Sequence, residues 1–269
     1  FYTAMIVHSL SRQSDWVFFL RLEDTDKARE VEWADKLVVE SLAYYGIAVD
    51  EWFVIEGDEV VEKWIYAPYR QSLRKNIYQA FVRQLVQRWL AYPCFCSSEE
   101  LEEMRNQQTQ AKVRPWYYGK RAKRRWASDE QILTELDKWT SFTIRFKSDW
   151  DESKRVTFHD IIKWDMSMPQ NDIDVVLMKA DGLPMYHFAH VVDDHFMWTT
   201  LVVRWDEWLP STPLHLQLFE AMWWDAPAYC HLAPIQKMDW SSKRKLSKRK
   251  DPEANIQYYK QVWFPKEAV

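Results

Sequence analysis

Glycine is nearly missing from this chain. Only 4 of 269 residues are glycine, where a usual share of about 7% would supply several times as many. A chain with many turns needs glycine wherever φ is positive, so another residue type must stand at those turns. Cysteine is sparse too. Cys94, Cys96 and Cys230 are too few for a disulfide framework in a chain this long, which points to reduced thiols. No run of roughly 18 apolar residues occurs, excluding a helix of ordinary spanning length. The opening FYTAMIVHSL lacks the basic region and small-residue cleavage site of a signal peptide, so a cytoplasmic chain without membrane contact is expected. A basic surplus is missing as well: 36 Lys and Arg face 40 Asp and Glu, a net charge of -4. Any nucleic-acid contact must therefore come from a local patch. With 47% hydrophobic and 28% charged residues, disorder and collagen are excluded, and one large or two modest folded units are expected.

What is present in excess is tryptophan, at 17 residues. Along the chain, WVFFLRL (16 to 22) reads as a buried strand followed by Glu23, Asp24 and Asp26, and a strand end bearing carboxylates is a usual place for a site. Apolar residues from Arg29 to Tyr45 fall at helical spacing, with Gly46 as the stop. Asn76 to Leu90 repeats that pattern. Ser97 with Glu100, and Ser128 with Gln131, read as capping boxes of two short helices. After Lys138 the texture turns to short alternating runs, SFTIRFK, RVTFHDII and DVVLMK, with a hairpin-type turn at Asp181-Gly182 before LPMYHFAHVV. This stretch reads as a β-rich insert. Pro210 and Pro213 precede an amphipathic helix, LHLQLFEAMW, and EANIQYYKQ reads as another.

KRKLSKRK, residues 243 to 250, holds six basic residues in eight. It reads either as a solvated, nucleic-acid-touching loop or as a set of mobile ammonium groups that neutralise a reacting triphosphate. Here the chain resembles the class I glutamyl-tRNA synthetases. Lys245-Leu246-Ser247-Lys248-Arg249 is similar to that family's KMSKS loop. FLRLEDTD (19 to 26), YAPYRQS (66 to 72), AYPCFC (91 to 96), IRFK (144 to 147), DGLPMYHFAHVVDDH (181 to 195), VVRWDEWLPSTP (202 to 213) and HLAPI (231 to 235) follow in the family's order. The resemblance implies an α/β fold: a Rossmann-like catalytic domain split by an α+β insertion that binds the tRNA acceptor end. It divides the chain into residues 1–92, the insertion 93–203, and 204–269. It also implies that the family's first strand and HIGH loop precede Phe1.

The activity implied is ATP-dependent ligation of glutamate to tRNA(Glu) through a glutamyl-adenylate. ATP, Mg2+, L-glutamate and tRNA(Glu) would be the ligands of a monomer. By resemblance, Glu23 meets the substrate amino group, and Arg204 grips a carboxylate with its planar fork. Tyr186, His190 and Trp208 wall the amino-acid pocket, although His190 more often appears as Asn in the family. Lys245, Ser247 and Lys248 would be catalytic, and Lys245, Leu246, Lys248 and Arg249 would contact ATP. By residue type alone, Glu23 reads equally as a helix cap, Arg204 as surface, His190 as a structural histidine and Trp208 as core. The basic run from Lys112 to Arg125 would pair with acceptor-stem phosphates, or form a solvated face.

Two departures stand out. Many members bind zinc through CxC, then a Tyr and another Cys four residues on; Cys94 and Cys96 are present, but Arg121 stands four residues after Tyr117, so no structural zinc is expected. The second is tryptophan. Trp16, Trp33, Trp52, Trp64, Trp89, Trp139, Trp150, Trp164, Trp198, Trp205, Trp223, Trp240 and Trp263 all fall where the family pattern has glycine. Returning them to glycine restores a share near the usual 7% or so, as expected if a UGA codon decoded as glycine is written as tryptophan. Alternatives to the synthetase are a glutaminyl enzyme, a glutamyl-Q tRNA(Asp) synthetase-like paralogue, and a non-catalytic tRNA-binding remnant.

Overall fold

The computed structural model describes residues 1–26, 34–56, 59–62, 64–239, 242–247 and 250–268. Its elements run in the order α1 (Tyr2–Ser14), α2 (Ala34–Tyr44), β1 (Phe53–Glu56), β2 (Glu59–Glu62), α3 (Lys75–Gln87), β3 (Ala91–Cys94), α4 (Ser98–Gln110) and α5 (Asp129–Asp137). Then come β4 (Thr143–Phe146), β5 (Arg155–Asp160), β6 (Trp164–Pro169), β7 (Val176–Met178), α6 (Tyr186–Phe196), β8 (Leu201–Trp205) and α7 (Thr212–Met222). β9 (Ala228–Leu232), β10 (Gln236–Asp239), β11 (Ser242–Lys245) and α8 (Ile256–Gln261) close the chain. Helices and sheets mix as expected for an α/β protein.

Two sheets position the site. One has the order β3-β4-β7; the other has β6-β5-β9-β8, in which β8 and β9 run parallel. The second sheet joins β5, assigned to the insertion, to β9 of the closing segment, and the division expected at 203/204 falls inside β8. The largest core lies where α3, α6 and α7 meet β4 and β7. Tyr78, Leu85, Leu177, Phe188, Val192 and Leu218 are all fully buried there.

Both capping boxes form. Ser97 accepts from Glu100 N while Glu100 accepts from Ser97 N, and Ser128 and Gln131 do the same. Each pairing satisfies two otherwise orphaned donors within a single turn. The segment 16 to 22 departs from expectation. It is extended but makes only isolated parallel bridges, Phe19 with Glu51 and Leu22 with Arg70. Its amides donate in turn to Glu51 O and Tyr69 O, so its bonds are split between two neighbours and no continuous ladder forms. LPMYHFAHVV also departs, because Tyr186–Phe196 is helical. Its apolar face and its polar face are both buried, from Phe188 through Asp194, and a helix enclosed all round has no clear periodicity to read. The start of the helix expected from Arg29 lies outside the described residues up to Ala34.

The tryptophan pattern has a backbone counterpart. Nine described non-glycine residues have positive φ, and seven are tryptophans: Trp89, Trp139, Trp150, Trp164, Trp198, Trp223 and Trp263. All seven belong to the thirteen singled out from the sequence. Five follow the ends of α3, α5, α6, α7 and α8, where the chain closes with paired backward hydrogen bonds. After α5, for example, Trp139 N donates to Leu136 O at 2.9 Å and Thr140 N to Glu135 O at 3.1 Å. Gly46 ends α2 identically, donating to Ala43 O while Ile47 N reaches Leu42 O. This closure demands a left-handed residue, and a Cβ there costs roughly 1–2 kcal/mol. The indoles gain little in return: Trp139 is 93% and Trp263 92% exposed. Trp208 and Trp224, taken as native tryptophans, have no positive φ.

Trp139→Gly and Trp263→Gly are each expected to stabilise the fold by about 1 kcal/mol, read as a rise in thermal midpoint. Trp224→Gly should instead destabilise by about 3 kcal/mol or more, since Trp224 packs on Phe81, Phe196 and His195. A lower midpoint for both exposed variants would contradict the strain argument.

Candidate active site

A cleft of about 840 Å3 opens between α1, the 16–23 segment, α6 and β8, and it is lined by Glu23, Tyr186, His190 and Arg204 together with Arg21 and Asp194. Four of the five amino-acid-pocket residues expected from the sequence therefore converge. The fifth, Trp208, stands behind Tyr186 with ring centroids 4.6 Å apart. Tyr186 also stacks on His190 at 5.7 Å. Burial pushes the Tyr186 phenol up to about 12, so it is a neutral donor at working pH. Glu23 sits at the mouth, its side chain 43% exposed and 3.8 Å from Arg21.

Acidic residues of α6 hold the cleft floor. Asp194 Oδ1 accepts from Arg21 Nη1 at 2.9 Å, and His190 Nε2 lies 3.1 Å from Asp194 Oδ2. Asp193, wholly buried, accepts from Arg74 Nε, Gln71 Nε2 and Tyr78 Oη at 2.7, 2.8 and 2.8 Å. Burial pushes the His190 imidazole down to about 4, and His187 likewise to about 4. Both rings are thus neutral donors and acceptors rather than cations.

Arg204 is 7% exposed, and all its partners are uncharged. Nε donates to His231 Nε2 at 2.9 Å and Nη2 to Thr212 Oγ1 at 2.8 Å, while Nη1 lies 3.2 Å from His215 Nδ1. Among the described residues no carboxylate oxygen comes within 4.0 Å of it. A buried guanidinium without a counter-ion is costly, and this one opens on a cleft. The arrangement is suited to holding an anion in the cleft, and a carboxylate fits a planar fork best.

The basic loop lies to one side. Lys245 ends β11 and pairs with Glu207, beside Trp208. Leu246 N donates to Ile235 O at 2.9 Å, and Ser247 N donates to Asp251 Oδ2 at 2.9 Å. Asp251 also takes both terminal nitrogens of Arg244, which hold its carboxyl well below the usual range. Lys248 and Arg249 lie outside the described residues. In the other basic run, Arg125 is spent on Asp174 at 2.7 Å and Arg114 on Asp172, whereas Lys112, Lys120, Arg121 and Lys123 are exposed.

Cys94 and Cys96 flank the Tyr117 hydroxyl at 3.5 and 3.4 Å. A hydrogen bond from the Cys96 thiol, with Tyr117 assisting, holds Cys94 below the usual thiol range. No group of three or more His, Cys, Asp or Glu side chains able to hold a metal occurs among the described residues. Sequence reasoning gave no role to Arg21, Asp193, Asp194, Asp160, His215 or His231. The runs DDH and HLAPI carried the signal, but the use of each residue depends on a partner distant in sequence.

The whole chain, residues 1–269, matches the family model of class I tRNA synthetases (E and Q), catalytic domain. It is 47% identical over 268 residues to a glutamate-tRNA ligase of Clostridium perfringens, covering 100% of this chain and 48% of that protein. It is 48% identical over 264 residues to the glutamate-tRNA ligase of Clostridium beijerinckii, covering 98% and 47%. A solved glutamate tRNA ligase from Elizabethkingia meningosepticum, in complex with its amino acid, superposes with a TM-score of 0.83 at 36% identity, over 94% of this chain and 49% of that one. The glutamate-tRNA synthetase of Elizabethkingia anophelis gives 0.81 at 34% identity, over 98% and 50%. The chain therefore belongs to the class I glutamyl- and glutaminyl-tRNA synthetase catalytic-domain family, and it spans about half the length of the curated relatives it matches. No described helix is long and apolar enough to cross a membrane.

The buried histidines set an acid limit. Their folded values lie below the unfolded one near 6.5, so between about pH 4 and 6.5 the unfolded chain binds more protons. Stability is then full above that window and falls as pH drops through it. His190→Asn removes one such group and is expected to recover up to about 3 kcal/mol of the loss at pH 4. Denaturant titrations of both proteins at pH 7 and pH 4 read this directly; an equal loss of stability between the two pH values in both proteins would exclude it.

Proposed function

We propose that this chain is the catalytic core of a glutamate-tRNA ligase, activating glutamate with ATP and passing it to tRNA(Glu). The observation that carries the reading is Arg204, a buried cation facing the cleft with only neutral partners. It takes a carboxylate of glutamate. Glu23, 43% exposed at the mouth, takes the amino group, and Tyr186, His190 and Trp208 form the wall. Lys245, Leu246, Ser247, Lys248 and Arg249 serve the triphosphate, with Lys245, Ser247 and Lys248 stabilising charge as pyrophosphate leaves. Phosphate has to displace Glu207 from Lys245. That exchange costs little, because both side chains of the pair are about half exposed.

Mg2+ enters with ATP as part of the substrate. The CxC thiols work without structural zinc, Cys94 and Cys96 resting against the Tyr117 hydroxyl. Exposed Lys112, Lys120, Arg121 and Lys123 meet acceptor-stem phosphates. The protein acts as a monomer in the cytoplasm.

The test is ATP–pyrophosphate exchange by the full gene product with glutamate and with glutamine, each with tRNA(Glu). Exchange is expected with glutamate alone, and Lys245→Ala should lower kcat about 100-fold or more. Steeply salt-dependent tRNA binding with no exchange would show a binding module instead, and exchange with glutamine would reassign the substrate.

A further inference from the structure

Arg204 is oriented by a chain of groups that runs away from the cleft. Arg204 on β8 and His231 on β9 are direct partners in the parallel register, so their side chains emerge on the same face of the sheet. His231 Nε2 accepts from Arg204 Nε at 2.9 Å, and His231 Nδ1 lies 2.6 Å from Asp160 Oδ2. Both His231 and Asp160 are 0% exposed. Asp160 is itself immobilised: its Oδ1 accepts from the amides of Ile162 and Lys163 at 3.0 and 2.8 Å, and its Oδ2 from His231 N at 3.2 Å.

We propose that Asp160 and His231 are positioning residues that aim the Arg204 guanidinium at the carboxylate of the amino-acid substrate. The inference rests on the carboxylate role of Arg204 given above. Asp160 fixes the tautomer: with Nδ1–H donated to the carboxylate, Nε2 keeps a lone pair for Arg204 Nε. Burial keeps His231 below its ordinary value, outweighing the pull of Asp160, so the ring stays neutral and the tautomer holds. The spacer also solves an electrostatic problem. A carboxylate placed directly on Arg204 would occupy its fork and cancel its charge, whereas one imidazole further away it leaves the terminal nitrogens for substrate. Thr212 and His215 steady those nitrogens through one N–H each, and His215 is held in turn by His187 at 2.9 Å.

The test compares two replacements of His231 that differ in which contact they keep. His231→Gln places an acceptor near the Nε2 position; His231→Asn keeps a donor toward Asp160 and loses the acceptor for Arg204. In the full gene product, His231→Asn is expected to raise KM for glutamate about 10- to 100-fold, with KM for ATP unchanged. His231→Gln should recover most of that loss. Asp160→Asn, which can donate to Nδ1 and turn an Nε2 proton against Arg204, should behave like His231→Asn. Equal loss in the Gln and Asn variants, or parallel rises in both KM values, would reduce the pair to a structural role and overturn the proposal. Arg204→Lys separates the two readings. If it raises KM for glutamate while His231→Asn and Asp160→Asn do not, the positioning proposal fails alone; if Arg204→Lys also leaves that KM unchanged, the carboxylate reading fails too.

The backbone carries a second inference independently. Seven tryptophans occupy left-handed positions, five of them at the helix ends closed as Gly46 closes α2, and a Cβ on Gly119 would overlap the ring of Trp150. We infer that the source organism places glycine at these seven positions by decoding UGA as glycine. Reading the coding DNA tests this: TGA is expected at Trp89, Trp139, Trp150, Trp164, Trp198, Trp223 and Trp263, and TGG at Trp208 and Trp224. Peptide masses of the native protein should show glycine at the seven. TGG codons at the seven, or tryptophan in the native peptides, would overturn it.

Discussion

The buried carboxylate of Asp193 is the contact on which the cleft depends. One wholly enclosed anion on α6 takes donors from Gln71, Arg74 and Tyr78, and Arg21 stands 3.6 Å away. It therefore ties the 66–74 segment, α3 and the extended 16–23 segment to a single helix. A buried ion pair gives little net stability, but removing one partner leaves an uncompensated charge. The geometry is thus defended by the cost of breaking it. Asp194, the next residue, lines the cleft and holds Arg21, with His190 Nε2 3.1 Å from its Oδ2.

Two kinds of arginine result. Arg21 and Arg74 are matched by carboxylates and serve as fixed struts. Arg204 is matched by His231, Thr212 and His215, none of them charged, and so keeps its attraction for an incoming anion. Carboxylates lie within ion-pair distance of Arg21 and Arg74, and among the described residues none lies that close to Arg204. That asymmetry, more than the cleft's size, distinguishes a binding surface from a structural seam.

The parts of the fold set by neighbouring residues were legible in the sequence. The capping boxes at Ser97 and Ser128 close within one turn, and Gly46 stops α2 as its position implied. The 16–22 segment was not legible, because its bonding is shared between Glu51 and Tyr69 rather than with one strand. α6 was obscured because it is enclosed on every side. The tryptophan pattern was legible as a shortage of glycine, and backbone geometry then picked out seven positions of the thirteen. For the site, ordered motifs brought out Glu23, Tyr186, His190, Arg204 and Trp208, whereas Lys248 and Arg249 lie outside the described residues. Asp160 and His231 could not be read as a pair, since what joins them to Arg204 is the register of a parallel sheet.

That register has a consequence for how the chain can vary. The connection from β8 to β9 runs through α7, but the meeting of Arg204 with His231 is fixed by ladder hydrogen bonds rather than by the length of that path. Residues could be gained or lost between Trp224 and Ala228 without moving either side chain. A single residue inserted within β9 would turn His231 to the opposite face of the sheet. Tolerance to insertion should therefore change abruptly from the loop to the strand a few residues later.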